Sequence, residues 1–202
     1  MAAREQIDKA NAEARELLKV AGIVITEEEA KQIEYCDYHL GEFDMIGTEI
    51  LTYVNTDRVC AKEMMLIPYQ ICSEHLHPQL GAYQGKEETF RCRWGEVYLY
   101  VPGEPTKQPQ GGVPEHRKEH FTVWHEIYLR LGKQYTLKEQ TRHWFQAGPE
   151  GAVISEFSTP SFDEADILLI RKSSGNPIIK KRPFQAAFKS AGKGRFLLTG
   201  DL

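Results

Sequence analysis

The sequence predicts an all-β protein, an antiparallel sandwich or small barrel that follows two N-terminal helices. After about residue 50, many short runs rich in β-branched and aromatic residues follow one another at close spacing, a pattern typical of sandwiches and barrels. Helical periodicity is confined to the residues before these runs. A histidine pair with a glutamate and a glycine downstream, spaced H-x-H-x10-E-x6-G, adds a candidate metal site.

Two helices are predicted ahead of the strands. Within residues 2–20, apolar residues recur at spacings of three and four between charged residues, which indicates an amphipathic helix. These apolar residues are Ile7, Ala10, Ala14, Leu17 and Leu18. Gly22 ends this helix. Thr26 followed by Glu29 is a capping box, so a second helix is predicted from there to about His39, with Gly41 as its stop.

The predicted strands are bounded by proline, glycine and other turn residues. Pro68 interrupts one long run, and Gly95-Glu96 is interpreted as the turn of a hairpin. A polar loop begins at Pro102 and continues to about Glu119. The predicted strands are Ile50–Val54, Val59–Cys72 with its break, Ile71–His77, Glu88–Trp94, Val97–Val101, Phe121–Leu131, Gln134–Leu137, Thr141–Phe145, Ala152–Phe157 and Ile167–Ile170.

Composition limits the class of protein. The chain has 202 residues, of which 41% are apolar and 27% charged, and its net charge is −4, so we expect one domain with a sizeable core. No apolar run approaches the roughly 18 residues of a membrane span, and the N-terminus lacks a signal-peptide pattern. We therefore expect a cytoplasmic protein. Cys36, Cys60, Cys72 and Cys92 form no C-x-x-C pair, which predicts buried, reduced thiols.

Charge is distributed unevenly along the chain. From Arg171 to Leu202 there are eight Lys and Arg residues and one acid, so this segment carries +7 and residues 1–170 carry −11. We therefore predict a domain of residues 1–172 and a basic C-terminal extension of residues 173–202. A basic tail can bind nucleic acid, but few aromatic residues accompany it. A solvated tail is expected, with neither nucleic acid nor membrane as a partner.

The pair His75 and His77 suits a metal site. Residues two apart on a strand point to the same side, and Glu88 begins a neighbouring strand from which a carboxylate can reach the same point. Two imidazoles and a carboxylate are the donors of divalent metal sites that keep coordination positions open for substrate. The sequence therefore predicts a metal that takes part in chemistry.

Strand parity predicts which way these side chains face. Glu88 has the parity of Phe90 and Cys92, so its carboxylate should point into the core, where a metal would compensate the cost of its burial. By the same rule, His75 and His77 should share a face with Ser73 and Ile71, and Cys72, Glu74 and Leu76 should occupy the opposite face.

Two longer sequence segments resemble a known protein family. The H-x-H, glutamate and glycine pattern resembles the first conserved motif of the cupin superfamily, and His143 matches the histidine of its second motif. GKEETFRCRWGEVYLYVPGEP (Gly85–Pro105) and HWFQAGPEGAVISEFST (His143–Thr159) resemble the cupin-type D-lyxose isomerases, which are bacterial ketol-isomerases. The similarity covers roughly residues 5–172.

This resemblance implies a cupin jelly-roll barrel that binds Mn²⁺ or another divalent metal. The implied ligands are His75, His77, Glu88 and His143. It also implies interconversion of D-lyxose and D-xylulose, with D-mannose and D-fructose as a further pair. Four protein ligands on an octahedral ion leave two adjacent positions, enough for O1 and O2 of a sugar, and no organic cofactor is required.

Isomerisation also needs a group that moves a proton between C2 and C1. Glu156 is the first candidate for this base, and Lys86 is the second, able to protonate or hydrogen-bond the sugar oxygens. The alternatives are a structural carboxylate for Glu156 and a surface lysine for Lys86. His116 and His120 are four residues apart but lie in a charged loop, so a solvated surface is the preferred interpretation.

Other functions remain open on the sequence alone. A three-histidine, one-glutamate site also suits an Fe²⁺ dioxygenase, and a sugar-phosphate isomerase would need a basic group such as Arg142. A non-catalytic sugar-binding cupin is the third alternative. Because sandwich barrels expose sheet edges that pairing can cover, we expect a homodimer.

Overall fold

The prediction of an all-β fold with leading helices is confirmed. A computed structural model describes residues 4–38, 40–162, 167–169, 172–173 and 176–177. The helices and strands are α1 (Arg4–Val20), α2 (Glu27–Ala30), β1 (Glu34–Cys36), β2 (Thr48–Asn55), β3 (Cys60–Leu66), β4 (Ile71–Leu76), β5 (Glu88–Val101), a 3₁₀ helix (Glu115–His120), β6 (His125–Arg130), β7 (Gln134–Leu137), β8 (His143–Ser158), β9 (Leu168–Leu169), β10 (Lys172–Ser173) and β11 (Asn176–Pro177).

Nine of these strands form one antiparallel sheet that closes around a core. Its order is β1-β2-β3-β8-β4-β9, and β5 pairs with β6, β7 and β8. The long strands β5 and β8 belong to two layers. Residues 152–158 of β8 pair with β3, whereas residues 143–146 pair with β4. Side chains from both layers therefore meet in a common interior, and strands from both layers can contribute to one site.

Helix α1 covers part of the outer face of this sheet. Its buried residues Ala14 and Leu18 pack against Leu51, Met65 and Val153 from three adjacent strands. The predicted amphipathic pattern is thus confirmed. Neither helix in the described part of the chain has the length and apolar character that a bilayer span requires.

The second helix is much shorter than predicted. The capping box of Thr26 and Glu29 is present, but α2 ends at Ala30 after a single turn. Its expected continuation instead forms β1, in which Tyr35 pairs with Glu49 and Cys36 with Thr48. Pairing with β2 satisfies the backbone of this segment and buries Cys36, so tertiary contact overrides the helical signal of the cap.

The prediction of a hairpin at Gly95 was wrong. Residues 88–101 form one continuous strand, and its register against β8 shifts between Cys92 and Trp94 and again between Gly95 and Val97. Gly95 has a φ of 67°, which suits a bulge as well as a turn. In the same way, the two strands predicted at 141–145 and 152–157 are the two ends of β8.

A bulge also corrects the parity prediction for β4. Cys72 pairs with Phe145 and His75 with His143, so a step of three residues on β4 faces a step of two on β8. The extra residue turns His75 onto the same face as Cys72. The prediction that these two residues lie on opposite faces was therefore wrong, although His75 does point inward.

The four cysteines are buried and free, as predicted. Burial raises the pKa of the Cys36 thiol to about 12 and that of Cys92 to about 11, so both remain protonated thiols near neutral pH. The basic extension predicted from residue 173 lies outside the described residues beyond position 177.

Candidate metal centre

Three histidines converge inside the barrel. His75 lies near the end of β4, His77 follows that strand, and His143 begins β8 directly opposite His75. One nitrogen from each ring lies within 4.8 Å of the others. All three side chains are buried, with His143 fully so. The structure therefore brings together three imidazoles that could bind a single metal ion.

Backbone carbonyls orient two of these rings. Nδ1 of His75 lies 2.7 Å from the carbonyl oxygen of Ser73, and Nδ1 of His143 lies 3.0 Å from that of Thr141. Because a carbonyl only accepts, each Nδ1 carries the proton and each Nε2 keeps its lone pair. This is the arrangement that orients histidine ligands in metal sites.

The imidazoles of His75 and His143 are held neutral. Burial lowers the pKa of His75 well below its usual value, with further lowering by His143 and His77, and burial also lowers the pKa of His143. The Nε2 atom of His143 is buried and has no hydrogen-bond partner in the part of the chain that the structure describes. A buried nitrogen lone pair without a partner is costly, and a metal ion would satisfy it.

Glu88 adds a carboxylate to this cluster. It is the first residue of β5 and points inward, as predicted, with Oε1 at 3.2 Å from Nε2 of His77 and Oε2 at 3.5 Å from Nε2 of His143. Burial alone would raise the pKa of this carboxyl. The neighbouring groups His77, Lys86 and His143 outweigh burial and hold its pKa well below the usual value.

Lys86 connects Glu88 to a second carboxylate. Its Nζ lies 3.2 Å from Oε1 of Glu88 and 2.5 Å from Oε1 of Glu156. Both Lys86 and Glu156 are buried, so neither is a surface side chain. The Ser158 hydroxyl donates to Oε1 of Glu156 over 3.0 Å, a contact that parity along β8 could have indicated because Ser158 is two residues from Glu156.

The donor set fits a divalent cation. Two carboxylates and one ammonium leave a net charge of −1 beside the imidazoles, and nitrogen with carboxylate oxygen is the donor chemistry of catalytic Zn²⁺, Fe²⁺ and Mn²⁺ sites. All six residues predicted for the site from sequence are placed together. They are His75, His77, Lys86, Glu88, His143 and Glu156, and none is more than 6% exposed.

Other candidate residues lie elsewhere. His116 and His120 belong to the 3₁₀ helix, and Nε2 of His116 lies 3.2 Å from Oε2 of Glu42. His116 is exposed, as the surface interpretation predicts, whereas His120 is half-buried. Trp144 is fully buried and stacks on Tyr100 with ring centroids 3.8 Å apart, so it packs the barrel rather than a sugar.

Solved structures identify the fold class. The L-ribose isomerase of Geodermatophilus obscurus has a TM-score of 0.67 with 18% identity, covering 84% of this chain and 92% of that one. The L-ribose isomerase of Acinetobacter sp. DL28, solved in complex with L-ribose, has a TM-score of 0.66 with 19% identity, covering 79% and 82%. The fold is thus a cupin-type jelly-roll barrel. The chain matches no protein-family model.

Curated relatives are more similar in sequence. A D-lyxose ketol-isomerase of Thermofilum sp. (strain ex4484_79) is 53% identical over 183 residues, which is 91% of this chain and 98% of the relative. A D-lyxose ketol-isomerase of Cohnella laeviribosi is 50% identical over 165 residues, 82% and 91% of the two chains. A D-lyxose/D-mannose isomerase of Thermosediminibacter oceani is 48% identical, covering 91% and 98%. The chain belongs to the D-lyxose ketol-isomerase family and is a sugar isomerase.

Proposed function

We propose that this protein is a metal-dependent aldose–ketose isomerase that interconverts D-lyxose and D-xylulose. The observation that carries the proposal is the convergence of three imidazoles and Glu88 with a second carboxylate, Glu156, that shares Lys86 with them. One group of side chains is suited to hold a cation, and the other is suited to move a proton. Membership of the D-lyxose ketol-isomerase family supports this substrate.

His75, His77, Glu88 and His143 would hold the ion, and we propose Mn²⁺. When bound, the ion would stabilise the negative charge that develops on the sugar oxygens at C1 and C2. The reaction requires no change of oxidation state, so a metal with mixed nitrogen and oxygen preference suffices. The family relationship and the donor set favour isomerisation over the dioxygenase and binding-module alternatives.

Glu156 is the proposed base. Its carboxylate would take the proton from C2 of the aldose, leaving an enediolate, and would return that proton to C1 to complete the ketose. The hydroxyl proton must move from O2 to O1 in the same reaction. Lys86 would carry it, because its ammonium already donates to two carboxylates and stands beside the proposed base.

Reconstitution tests this function. Metal-stripped protein supplied with Mn²⁺, Fe²⁺, Co²⁺ or Zn²⁺ in turn should convert D-lyxose to D-xylulose with at least one ion, and Mn²⁺ should give the highest rate. Stripped protein without added metal is the control and should be inactive. Absence of D-xylulose with every ion, or equal activity in the stripped protein, would contradict the proposal.

D-Mannose is a proposed second substrate. The relative from Thermosediminibacter oceani is named a D-lyxose/D-mannose isomerase, and D-mannose has the D-lyxose configuration at the carbons that react. The same reconstituted protein should produce D-fructose from D-mannose. A panel that yields product only from D-lyxose would remove this second substrate and leave the first.

We also propose that the protein is a cytoplasmic homodimer. An apolar row on the outer face of the sheet supports a dimer, because among the described residues Val54 and Phe157 lie either side of Ala61 on three adjacent strands and both are exposed. A second copy would cover this apolar row. Sedimentation at twice the mass of one chain is expected, and a monomer at micromolar concentration would contradict it.

A further inference from the structure

A second lysine lies next to the proposed base. In the antiparallel pairing of β3 with β8, Lys62 is directly opposite Glu156, and Cys60 is opposite Ser158. Directly opposed residues share a face of the sheet, with Cβ atoms about 4.5–5.5 Å apart. Glu156 faces the interior, where it contacts Lys86. The side chain of Lys62 therefore leaves β3 on the interior face as well.

The ammonium of Lys62 has a different set of partners from that of Lys86. Lys86 is buried and contacts two carboxylates. Lys62 is half-buried, and within the described residues its contact is one neutral oxygen, the Ser161 hydroxyl, at 3.3 Å from Nζ. An ammonium has three donors. Lys62 thus retains donors for oxygen atoms of a ligand that enters the barrel.

The contact with Ser161 holds Lys62 in place. Ser161 is buried, its backbone N–H donates to Oδ1 of Asn55 over 3.1 Å, and Nδ2 of Asn55 donates to its carbonyl oxygen over 2.7 Å. This two-point attachment fixes the segment next to the end of β2. The hydroxyl that accepts from Lys62 therefore has a defined position, which limits the directions open to the ammonium.

We propose that Lys62 is a specificity-determining residue that donates a hydrogen bond to one sugar hydroxyl remote from the reacting carbons, the hydroxyl at C4 or the one at C5. The proposal rests on the isomerase function proposed above. Glu156 and Lys86 are assigned to C1 and C2, so the rest of the sugar must lie beside neighbouring strands. Lys62, one strand away with unused donors, suits its hydroxyls.

Paired changes in enzyme and sugar test this inference. Lys62→Met removes the donors and keeps most of the side-chain length, Lys62→Arg keeps the charge, and Lys107→Met is a control at an exposed lysine. In the Mn²⁺-loaded enzyme, Lys62→Met should lower kcat/KM for D-lyxose by about 10- to 100-fold, mainly through KM, because a hydrogen bond to a charged donor is lost. Lys62→Arg should lower kcat/KM by a smaller factor, and the kcat/KM of Lys107→Met should equal that of the wild type.

Deoxy sugars locate the contact. With the D-lyxose analogue that lacks the contacted hydroxyl, at C4 or C5, Lys62→Met should lower kcat/KM by less than about twofold. The substitution and the missing hydroxyl then remove the same hydrogen bond. Binding of D-arabinitol, the reduced sugar, gives a readout without turnover, and its Kd should rise about tenfold in Lys62→Met.

The outcomes separate the two proposals. Equal losses on D-lyxose and on both deoxy analogues, or no loss at all in Lys62→Met, would overturn the role of Lys62 while wild-type turnover upholds the isomerase. A wild type that turns over no D-lyxose would overturn both. Melting temperatures of Lys62→Met and Lys62→Arg within a few degrees of the wild type show that both variants are folded.

Discussion

At the scale of single residues, charge balance decides which polar groups can be buried. Lys86 is buried between Glu88 and Glu156, and removing one member of such a group leaves an unpaired charge in the interior. An isosteric change such as Glu156→Gln keeps the packing and leaves Lys86 paired with Glu88, so it reports on chemistry more cleanly than a truncation.

The proposed base is tested by Glu156→Gln. This change keeps the side-chain volume but removes the proton acceptor, so kcat for D-lyxose should fall by at least about 10²-fold, while bound metal stays near the wild-type ratio. Glu63→Gln is a matched control, since Glu63 is equally buried one strand away on the opposite face, where it accepts from Ser155. Wild-type turnover in Glu156→Gln would exclude this residue as the base.

Glu49 is a buried acid outside the site. Neither of its carboxylate oxygens has a hydrogen-bond partner in the described residues. Burial raises its pKa to about 8; Glu13 and Asp44 raise it slightly further, and Lys9 lowers it slightly. The protonated form is therefore favoured in the folded state. Its stabilising effect is complete below about pH 4.5 and is lost as the pH rises through 8.

Glu49→Gln should remove this pH dependence. A raised pKa of this size corresponds to a free-energy difference on the order of 3–5 kcal/mol, so the variant should be more stable than the wild type at pH 9 and similar to it at pH 5. Urea unfolding at both pH values measures this difference, with exposed Glu5→Gln as a control. A wild type and variant that differ equally at pH 5 and pH 9 would contradict the prediction.

At the scale of secondary-structure elements, the bend of β8 makes the site possible. His143 is the first residue of this strand and Glu156 lies near its end, so in a straight strand they would be roughly 40 Å apart. Yet Nε2 of His143 is 3.5 Å from Glu88, which shares Lys86 with Glu156. The register shifts against β5 fold the two ends of β8 toward each other.

Gly95 lies at a register shift between β5 and β8. Its φ is 67°, and a Cβ added to it would lie 2.0 Å from the carbonyl oxygen of Gly151. Gly95→Ala should therefore destabilise the fold by about 3 kcal/mol or more. Gly132→Ala is the control, because Gly132 has a similar φ of 79° but open space around it, and it should cost only about 1 kcal/mol. Equal melting temperatures for the two variants would contradict this assignment.

The sequence predicted which side chains lie together better than it predicted the strands that carry them. His75, His77 and Glu88 were found because their spacing and residue types are local chemical signals, independent of whether 88–101 is one strand or two. His143 was found because it matches the second motif of the family that the sequence resembles. The hairpin at Gly95 was mispredicted because glycine suits a bulge as well as a turn. The bulge after Cys72 depends on pairing with β8, and the end of α2 depends on pairing with β2, so neither is encoded locally.

At the scale of the whole molecule, the site is closed. Its six residues are nearly inaccessible to solvent. Two hydrogen bonds hold the loop that carries Lys86 in place. The Tyr83 hydroxyl donates to the carbonyl oxygen of Pro160 over 2.8 Å, and the backbone N–H of Glu87 donates to Oγ1 of Thr159 over 3.1 Å. We therefore expect a sugar to displace some of the described residues around the site before it reaches the imidazoles.

Metal binding should also stabilise the fold as a whole. The proposed ligands come from β4, β5, β8 and the segment after β4, so an ion that binds only the folded state raises its stability by mass action. Chelation should lower the melting temperature by several degrees, and Mn²⁺ should restore it. His143→Ala should show no such response, and a full response in that variant would contradict this ligand assignment.

The most direct test of the account is anomalous diffraction at the manganese edge from crystals grown with Mn²⁺. We predict one strong peak within coordination distance of His75, His77, Glu88 and His143, and no such peak in His143→Ala. A manganese-loaded crystal with those four side chains ordered and no anomalous peak between them would contradict the central claim.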